Sequence, residues 1–436
     1  MTPIPLIFAA TCDLTGKVRG KAFPADQLDK RRARGVGWTP TNVMITCFDT
    51  IGDGPFGALG DLLLIPDPGA EVRVEFADGP AEHYMLGDIV TLDGAPWAFC
   101  TRAILRAALD RLYRVAGVRL IAAFEHEFQL KDKPAVGFQA YGREGFELQR
   151  ALCETLMGAL GEVGLHPDSI MKEYGANQYE AVIGPEEGLR AADAAVILRE
   201  LTRSTARSLG ETATFTPIRD VAGVGNGVHV HMSFVDDAGE PVSYDAGGPG
   251  GMSALTSAFA AGVLKYLDAI VALTAPSGIS YERLTPHRWS AAFNNLGFRD
   301  REASLRVCPV TAKDPASIAR QFNIEYRAAD AAACPHLALA AIVHAGVQGI
   351  EDGLAAPAPT EEDLSLLAPE ALEARGFIRL PTTLEAALDR FDASPVARGW
   401  FPEGFAAIYR AHKQAEIAYL DGFDTEARCA AYEATY

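Results

Sequence analysis

The chain has 436 residues, 49% of them hydrophobic and 22% charged, with a formal net charge of −18. That length predicts two domains rather than one, and the acidic balance excludes a general nucleic-acid binder, which would show a basic stripe. No apolar run reaches the roughly 20 residues of a membrane span, and the seven scattered cysteines contain no C-x-x-C pair, so a cytoplasmic protein without disulfides or thiolate metal sites is expected.

The opening "MTPIPLIFAATCDL" lacks a basic leader and reads as a first strand rather than a signal peptide. "PLIFAATCDL" and "KVRGKAF" flank the turn "DLTG", the pattern of a hairpin, and "DLLLIPD" and "EVRVEFAD" predict two further strands. Between the pairs, residues 49–61 form a long Gly-rich loop without G-K-[ST]. It is no P-loop, but loops this long inside a domain are usually functional or mobile. Residues 1–97 therefore predict a small strand-rich domain, and residues 98–436 a larger one that mixes strands and helices around one core.

"TRAILRAALDRLYRVAG" places Thr101 at a helix N-cap and Gly117 at its close. "IAAFEHEFQL" then reads as a strand whose alternation puts Glu125 and Glu127 on one face. Two carboxylates on a buried face repel and are costly to desolvate, so a positive partner must sit between them, unless the strand is an edge with both in water. Helices follow near 146–163, 188–209 and 252–274, and strands near 212–218 and 227–235. "ASLRVCPV" and "FNIEYRAAD" predict two more strands. "PHLALAAIVHAGVQGI", "TLEAALDRF" and "GFAAIYRAHKQAEIAYL" predict helices, and the Pro/Glu-rich stretch 355–370 a surface connection.

Three other strand-like segments carry acids or histidines where core residues are expected. Glu173 and Glu180 bracket the turn of "KEYGANQYEAVIGP". His229 and His231 share a face of "GVGNGVHVHMSF", where a strand follows the glycines and not the helix a dinucleotide loop needs. Glu325 and Arg327 share a face of "FNIEYRAAD". One inward acid is ordinarily a satisfied structural group. Five glutamates and a histidine on four strands instead make an oxygen-rich set with one imidazole, which suits Mg²⁺ or Mn²⁺. Two such ions would bridge and neutralise phosphates. Arg283 in "SYERLTP" and Arg299, Arg301 and Arg306 in "LGFRDREASLRVCP" add guanidiniums that grip phosphate or carboxylate oxygens, although a single arginine is more often a surface ion pair. Together these residues point to phosphoryl transfer from a nucleotide to an oxyanion.

With these motifs in this order the chain resembles the glutamine synthetase superfamily over most of its length. "FEHEF", "KEYGANQYE", "GNGVHVHMSF", "YERLTP", "RDREASLRVCP" and "FNIEYRAAD" carry the resemblance. It implies an α+β fold: a small N-terminal β-grasp domain (1–97), then a large catalytic domain (98–436) of curved antiparallel sheet with helices. By the same resemblance Glu127, Glu173 and Glu180 hold one Mg²⁺ or Mn²⁺, and Glu125, His229 and Glu325 another. Arg301 and Arg306 bind the phosphates of ATP, the co-substrate, and His231 and Ser233 lie near the nucleotide. Arg327 stands between nucleotide and glutamate, and Arg283 and Gly225 bind the amino acid. Asp49 matches, at a different spacing, an aspartate contributed by a neighbouring subunit. The resemblance also implies a homo-oligomer, a ring-based dodecamer with active sites between subunits. Its reaction makes γ-glutamyl phosphate from ATP and glutamate, and an amine then displaces the phosphate.

Two positions depart from the family pattern. Trp289 stands where the catalytic glutamate that holds ammonium is expected, and Val224 where an asparagine binds the α-amino group, with Asn226 two residues on as a substitute. Trp is apolar and a poor base. An organic amine, and a monoamine before a polyamine whose second charge would want an acid, is therefore expected ahead of ammonium. The alternatives are a glutamine synthetase that uses Asp49 or His287 as base, and an inactive structural relative. The second has no reason to keep costly buried charges.

Overall fold

A computed structural model describes residues 3–77, 79–131 and 139–436. The first sheet comprises β1 (Leu6–Cys12), β2 (Val18–Pro24), β3 (Val36–Trp38), β4 (Leu62–Val74) and β5 (Glu82–Val90), in the order β2-β1-β5-β4-β3. β1 and β5 are parallel neighbours and the other pairs are antiparallel. With the short helix Leu28–Arg34 this is the β-grasp expected. The β1–β2 hairpin forms as predicted. The two strands expected at "DLLLIPD" and "EVRVEFAD" are one: β4 runs through both, and the register against β5 shifts between Pro66 and Glu71 where a turn would have been. The last predicted residue there, Asp78, lies outside the described residues.

The second sheet has nine strands: β6 (Arg119–Leu130), β7 (Pro167–Lys172), β8 (Gln178–Ile183), β9 (Glu186–Glu187), β10 (Ala213–Thr214), β11 (Gly227–Val235), β12 (Leu296–Gly297), β13 (Leu305–Val307) and β14 (Ile324–Asp330). Its main path is β12-β13-β14-β11-β6-β8-β7, antiparallel except between β12 and β13, with β9 and β10 also on β6. The strand expected at 212–218 shrinks to β10, because the Phe215 amide leaves β6 to bond the Tyr436 carbonyl and Pro217 cannot donate.

The helix Thr101–Ala116 ends on Gly117 at φ +65°, as its sequence demands. Its N-cap is Cys100, not Thr101, whose hydroxyl instead donates to the Cys12 carbonyl at 2.7 Å and ties the helix to β1. The helix Pro335–Glu351 is buried almost throughout and packs against the helices Thr101–Ala116 and Ala254–Lys265. The helix expected over 252–274 breaks at Tyr266 into Ala254–Lys265 and Leu267–Thr274, bent by 78°. Among the described residues no single helix is long and apolar enough to cross a membrane. All seven cysteines are buried and free.

Candidate active site

β6 lies inside the sheet, which removes the edge-strand alternative for its two glutamates. His229 of β11 stands opposite Glu125, and Glu180 of β8 opposite Glu127. Glu325 of β14 stands opposite His231, and Arg306 of β13 opposite Glu325. The two-residue period puts all these side chains on one face. His126 goes to the other, 1% exposed, with its ring 6.1 Å from those of Phe124 and Phe215.

The partners demanded by the paired carboxylates are histidines and arginines. His229 Nδ1 lies 3.5 Å from both Glu125 Oε2 and Glu325 Oε1, and His231 Nε2 lies 3.1 Å from Glu125 Oε1. Arg306 meets Glu325 Oε2 at 2.6 Å, and Arg327 caps its other oxygen. Glu127 accepts from the Gly227 amide at 2.7 Å and from Gln178 Nε2 at 3.2 Å. Burial alone would raise the Glu125 carboxyl, but His229 and His231 hold it below its ordinary range. Glu325, opposed by burial yet faced by His229, Arg327, His231 and Arg306, falls to about 2. Glu180 goes the other way. Burial and the charges of Glu125, Glu127, Glu173 and Glu325 push it up to about 9.

A carboxyl raised by its neighbours marks a place short of positive charge. Glu125, His229 and Glu325 can converge on one ion, and Glu127, Glu180 and His229 on a second. His229 Nε2 is buried with no hydrogen-bond partner. The donor set, carboxylates with one imidazole, therefore fits divalent cations. Glu173 stands slightly apart: it lines the same cavity, but its Oε2 accepts from the Tyr141 hydroxyl at 3.0 Å and the Tyr174 amide at 2.9 Å.

The cavity over this face, of about 550 Å³, also takes in Arg301, Arg306, Arg327 and Trp289. Arg283, 3% exposed, donates to the Ala329 carbonyl at 3.0 Å and lies along the backbone of Gly225 and Gly227. A Cβ on Gly225 would stand 2.4 Å from the Pro217 carbonyl and 2.9 Å from Arg283 Cδ, so glycine is required there. Arg283, Gly225, Val224 and Trp289 line a narrow cleft beside Glu127 and Glu173.

Trp289 projects from a strained loop. His287 (φ +65°) and Trp289 (φ +52°) both adopt the left-handed conformation that costs a non-glycine residue about 1–3 kcal/mol. Glu302 holds the loop by accepting both their amides, at 2.9 and 3.0 Å, and Arg288 anchors it to the Gly223 carbonyl at 2.6 Å. The indole meets Tyr174 edge-on at 4.9 Å and is 48% exposed.

Some expected residues fall outside the cavity. Asp49, 66% exposed, pairs with Arg19 at 2.9 Å, and Ser233 is not among the lining residues. Asn226 cannot replace the missing asparagine. It is fully buried, its amide donates to Gln129 and the Thr216 carbonyl, and its oxygen accepts from Gln178. His287 bonds Ser365 and Asp363 in an adjoining cavity. Residues 361–365, expected as a surface connection, form one wall of that cavity, and acids stand beside Trp289, so a second ammonium would find a counter-charge there. Sequence reasoning missed Tyr141, from a loop without periodicity, and Cys308, whose sulfur lies 3.5 Å from His231 Nδ1.

Family models match both parts of the chain: glutamine synthetase N-terminal domain over residues 1–97, and glutamine synthetase, catalytic domain, over 98–432. The chain belongs to the glutamine synthetase family. It is 34% identical to the gamma-glutamylpolyamine synthetase GlnA3 of Streptomyces coelicolor, over 99% of this chain and 93% of that one. It is 28% identical to a glutamate–isopropylamine ligase of a Pseudomonas species, over 96% of this chain and 93% of that one. A solved structure described as a novel glutamine synthase homolog superposes with a TM-score of 0.92 at 39% identity, covering 100% of this chain and 99% of that one. Like its family, the protein is an ATP-dependent ligase that forms a carbon–nitrogen bond with the help of divalent metal.

Proposed function

We propose that this ligase joins the γ-carboxylate of glutamate to an organic amine rather than to ammonium. One observation carries the reading: the apolar Trp289 lines the metal-facing cavity at the position where the family resemblance implies the ammonium-holding carboxylate. The names of the two relatives, one acting on polyamines and one on isopropylamine, support it.

The domains divide at residues 97 and 98. Glu125, His229 and Glu325 would hold one Mg²⁺ or Mn²⁺, and Glu127, Glu173 and Glu180 a second, with His229 in reach of both. Bound there, the metals would neutralise phosphate oxygens. Arg301 and Arg306 grip the phosphates of ATP, with His231 and Ser233 toward the nucleotide. Arg327 reaches between phosphate and glutamate, and Arg283, seated on Gly225, binds the α-carboxylate.

A γ-carboxylate oxygen of glutamate attacks the terminal phosphorus and ADP leaves. The amine nitrogen then attacks the acyl carbon, inorganic phosphate leaves, and the nitrogen gives up a proton. The arginines offset the charge that builds on the transferring group. Asp49, exposed on this chain, would reach a neighbour's site in a ring-based dodecamer. A cytoplasmic location fits seven cysteines without a disulfide.

Phosphate release from ATP, glutamate and Mg²⁺ tests the reading across ammonium, methylamine, isopropylamine, phenethylamine and ethanolamine. At least one organic amine should outrun ammonium in kcat/KM. Turnover with ammonium alone overturns the reading.

A further inference from the structure

Trp289 and Arg301 line both the metal-facing cavity and the second cavity, of about 650 Å³. Five carboxylates line the second: Asp300, Glu302, Glu361, Glu362 and Asp363, against the guanidiniums of Arg299 and Arg301. Glu362 pairs with Arg375 at 2.6 Å, and Asp363 with His287 at 3.2 Å.

Asp300 and Glu302 are held differently. Glu302 accepts two backbone amides, and Asp300 accepts from Asn295 Nδ2 at 3.1 Å and from the Glu302 amide at 2.8 Å. These donors are neutral, and among the described residues neither carboxylate forms an ion pair with Arg299 or Arg301 of the same wall. Asn295, 2% exposed, lines the same cavity, and its Oδ1 is buried without a hydrogen-bond partner. A buried acceptor of that kind is costly unless a donor meets it. Charge and orphaned acceptor ask for the same ligand: a cation that donates several hydrogen bonds, such as a primary ammonium.

We propose that the second cavity binds the distal ammonium of a diamine or polyamine whose other nitrogen attacks the acyl phosphate in the first. The proposal rests on the organic-amine reading and names its substrate class. Trp289, at the boundary, then covers the methylene chain that spans the two cavities.

The test compares n-butylamine with putrescine, which has the same carbon chain and one more ammonium. Phosphate release is measured with ATP, glutamate and Mg²⁺. The diamine should show at least a tenfold higher kcat/KM. That ratio should fall by about tenfold in Glu302→Gln or Glu361→Gln protein whose melting matches the wild type. Two variants are used because Glu302 also supports the loop of Trp289. Equal kcat/KM for the two amines, or a ratio that survives in both variants, overturns the proposal and leaves the organic-amine reading standing. Turnover with ammonium alone overturns both.

Discussion

Replacing Glu325 by glutamine removes one charge and almost no volume at the centre of the site. The carboxylate is fully buried, and the two guanidiniums it separates, Arg306 and Arg327, have side chains only 10% and 4% exposed. The amide retains one acceptor and turns a donor toward the other arginine. Two buried guanidiniums then face each other without their counterion. Breaking a buried pair in this way costs about 3–5 kcal/mol, so urea unfolding should show a loss of that order. The substitution also removes an oxygen from the set Glu125, His229 and Glu325. Wild-type protein at Mn²⁺ a hundredfold above its Kd should gain about 2.7 kcal/mol, and Glu325→Gln should gain much less. The assay is melting and urea unfolding in EDTA and in Mn²⁺, wild type against variant. A variant as stable as wild type in EDTA, with the full Mn²⁺ gain, would refute both the buried ion-pair account and the ligand assignment.

Other predictions follow from the same geometry. Gly225→Ala places a Cβ against Pro217 and Arg283, so the KM for glutamate should rise at least tenfold, with kcat affected less; an unchanged KM would remove Arg283 from the substrate site. Trp289→Ala removes about 40–60 Å² of apolar contact with a butyl chain, on the order of 1–1.5 kcal/mol, so kcat/KM for n-butylamine should fall about tenfold while that for ammonium holds. Stability should fall in acid through Asp193. Burial raises its carboxyl, but His336 at 2.8 Å and Arg102 at 2.9 Å outweigh burial and hold it below its ordinary value. A depressed carboxyl contributes stability that is present above its unfolded value, about pH 4, and lost as pH falls through its lower folded value. Asp193→Asn should therefore unfold in urea with a flatter pH dependence below pH 4, and an unchanged slope would sink the assignment.

The site was legible where alternation met chemistry. Glu125 and Glu127 share a face because a strand turns every second residue outward, and the same rule placed His229, His231, Glu325 and Arg327. The fold was legible where local signals were strong, as in the β1–β2 turn and the helix closed by Gly117. It was hidden where tertiary contacts override local ones. β5 opens on polar residues that give no apolar alternation, and β4 runs through Pro66 because a partner strand carries it. The acid-lined cavity could not be read from the chain at all. Its walls, 286–302 and 361–365, are separated in sequence, and each alone looks like a polar loop. The buried hub of Arg102, Asp193 and His336 was hidden for the same reason, since each residue sits on a different helix.

The most direct test of the central claim is a competition in one vessel. The enzyme is given ATP, Mg²⁺, glutamate and equal concentrations of ammonium, n-butylamine and putrescine, and the products are quantified by mass spectrometry. The γ-glutamyl amides of the organic amines should together exceed glutamine. Glutamine as the dominant product would refute the organic-amine reading and return Trp289 to a packing role.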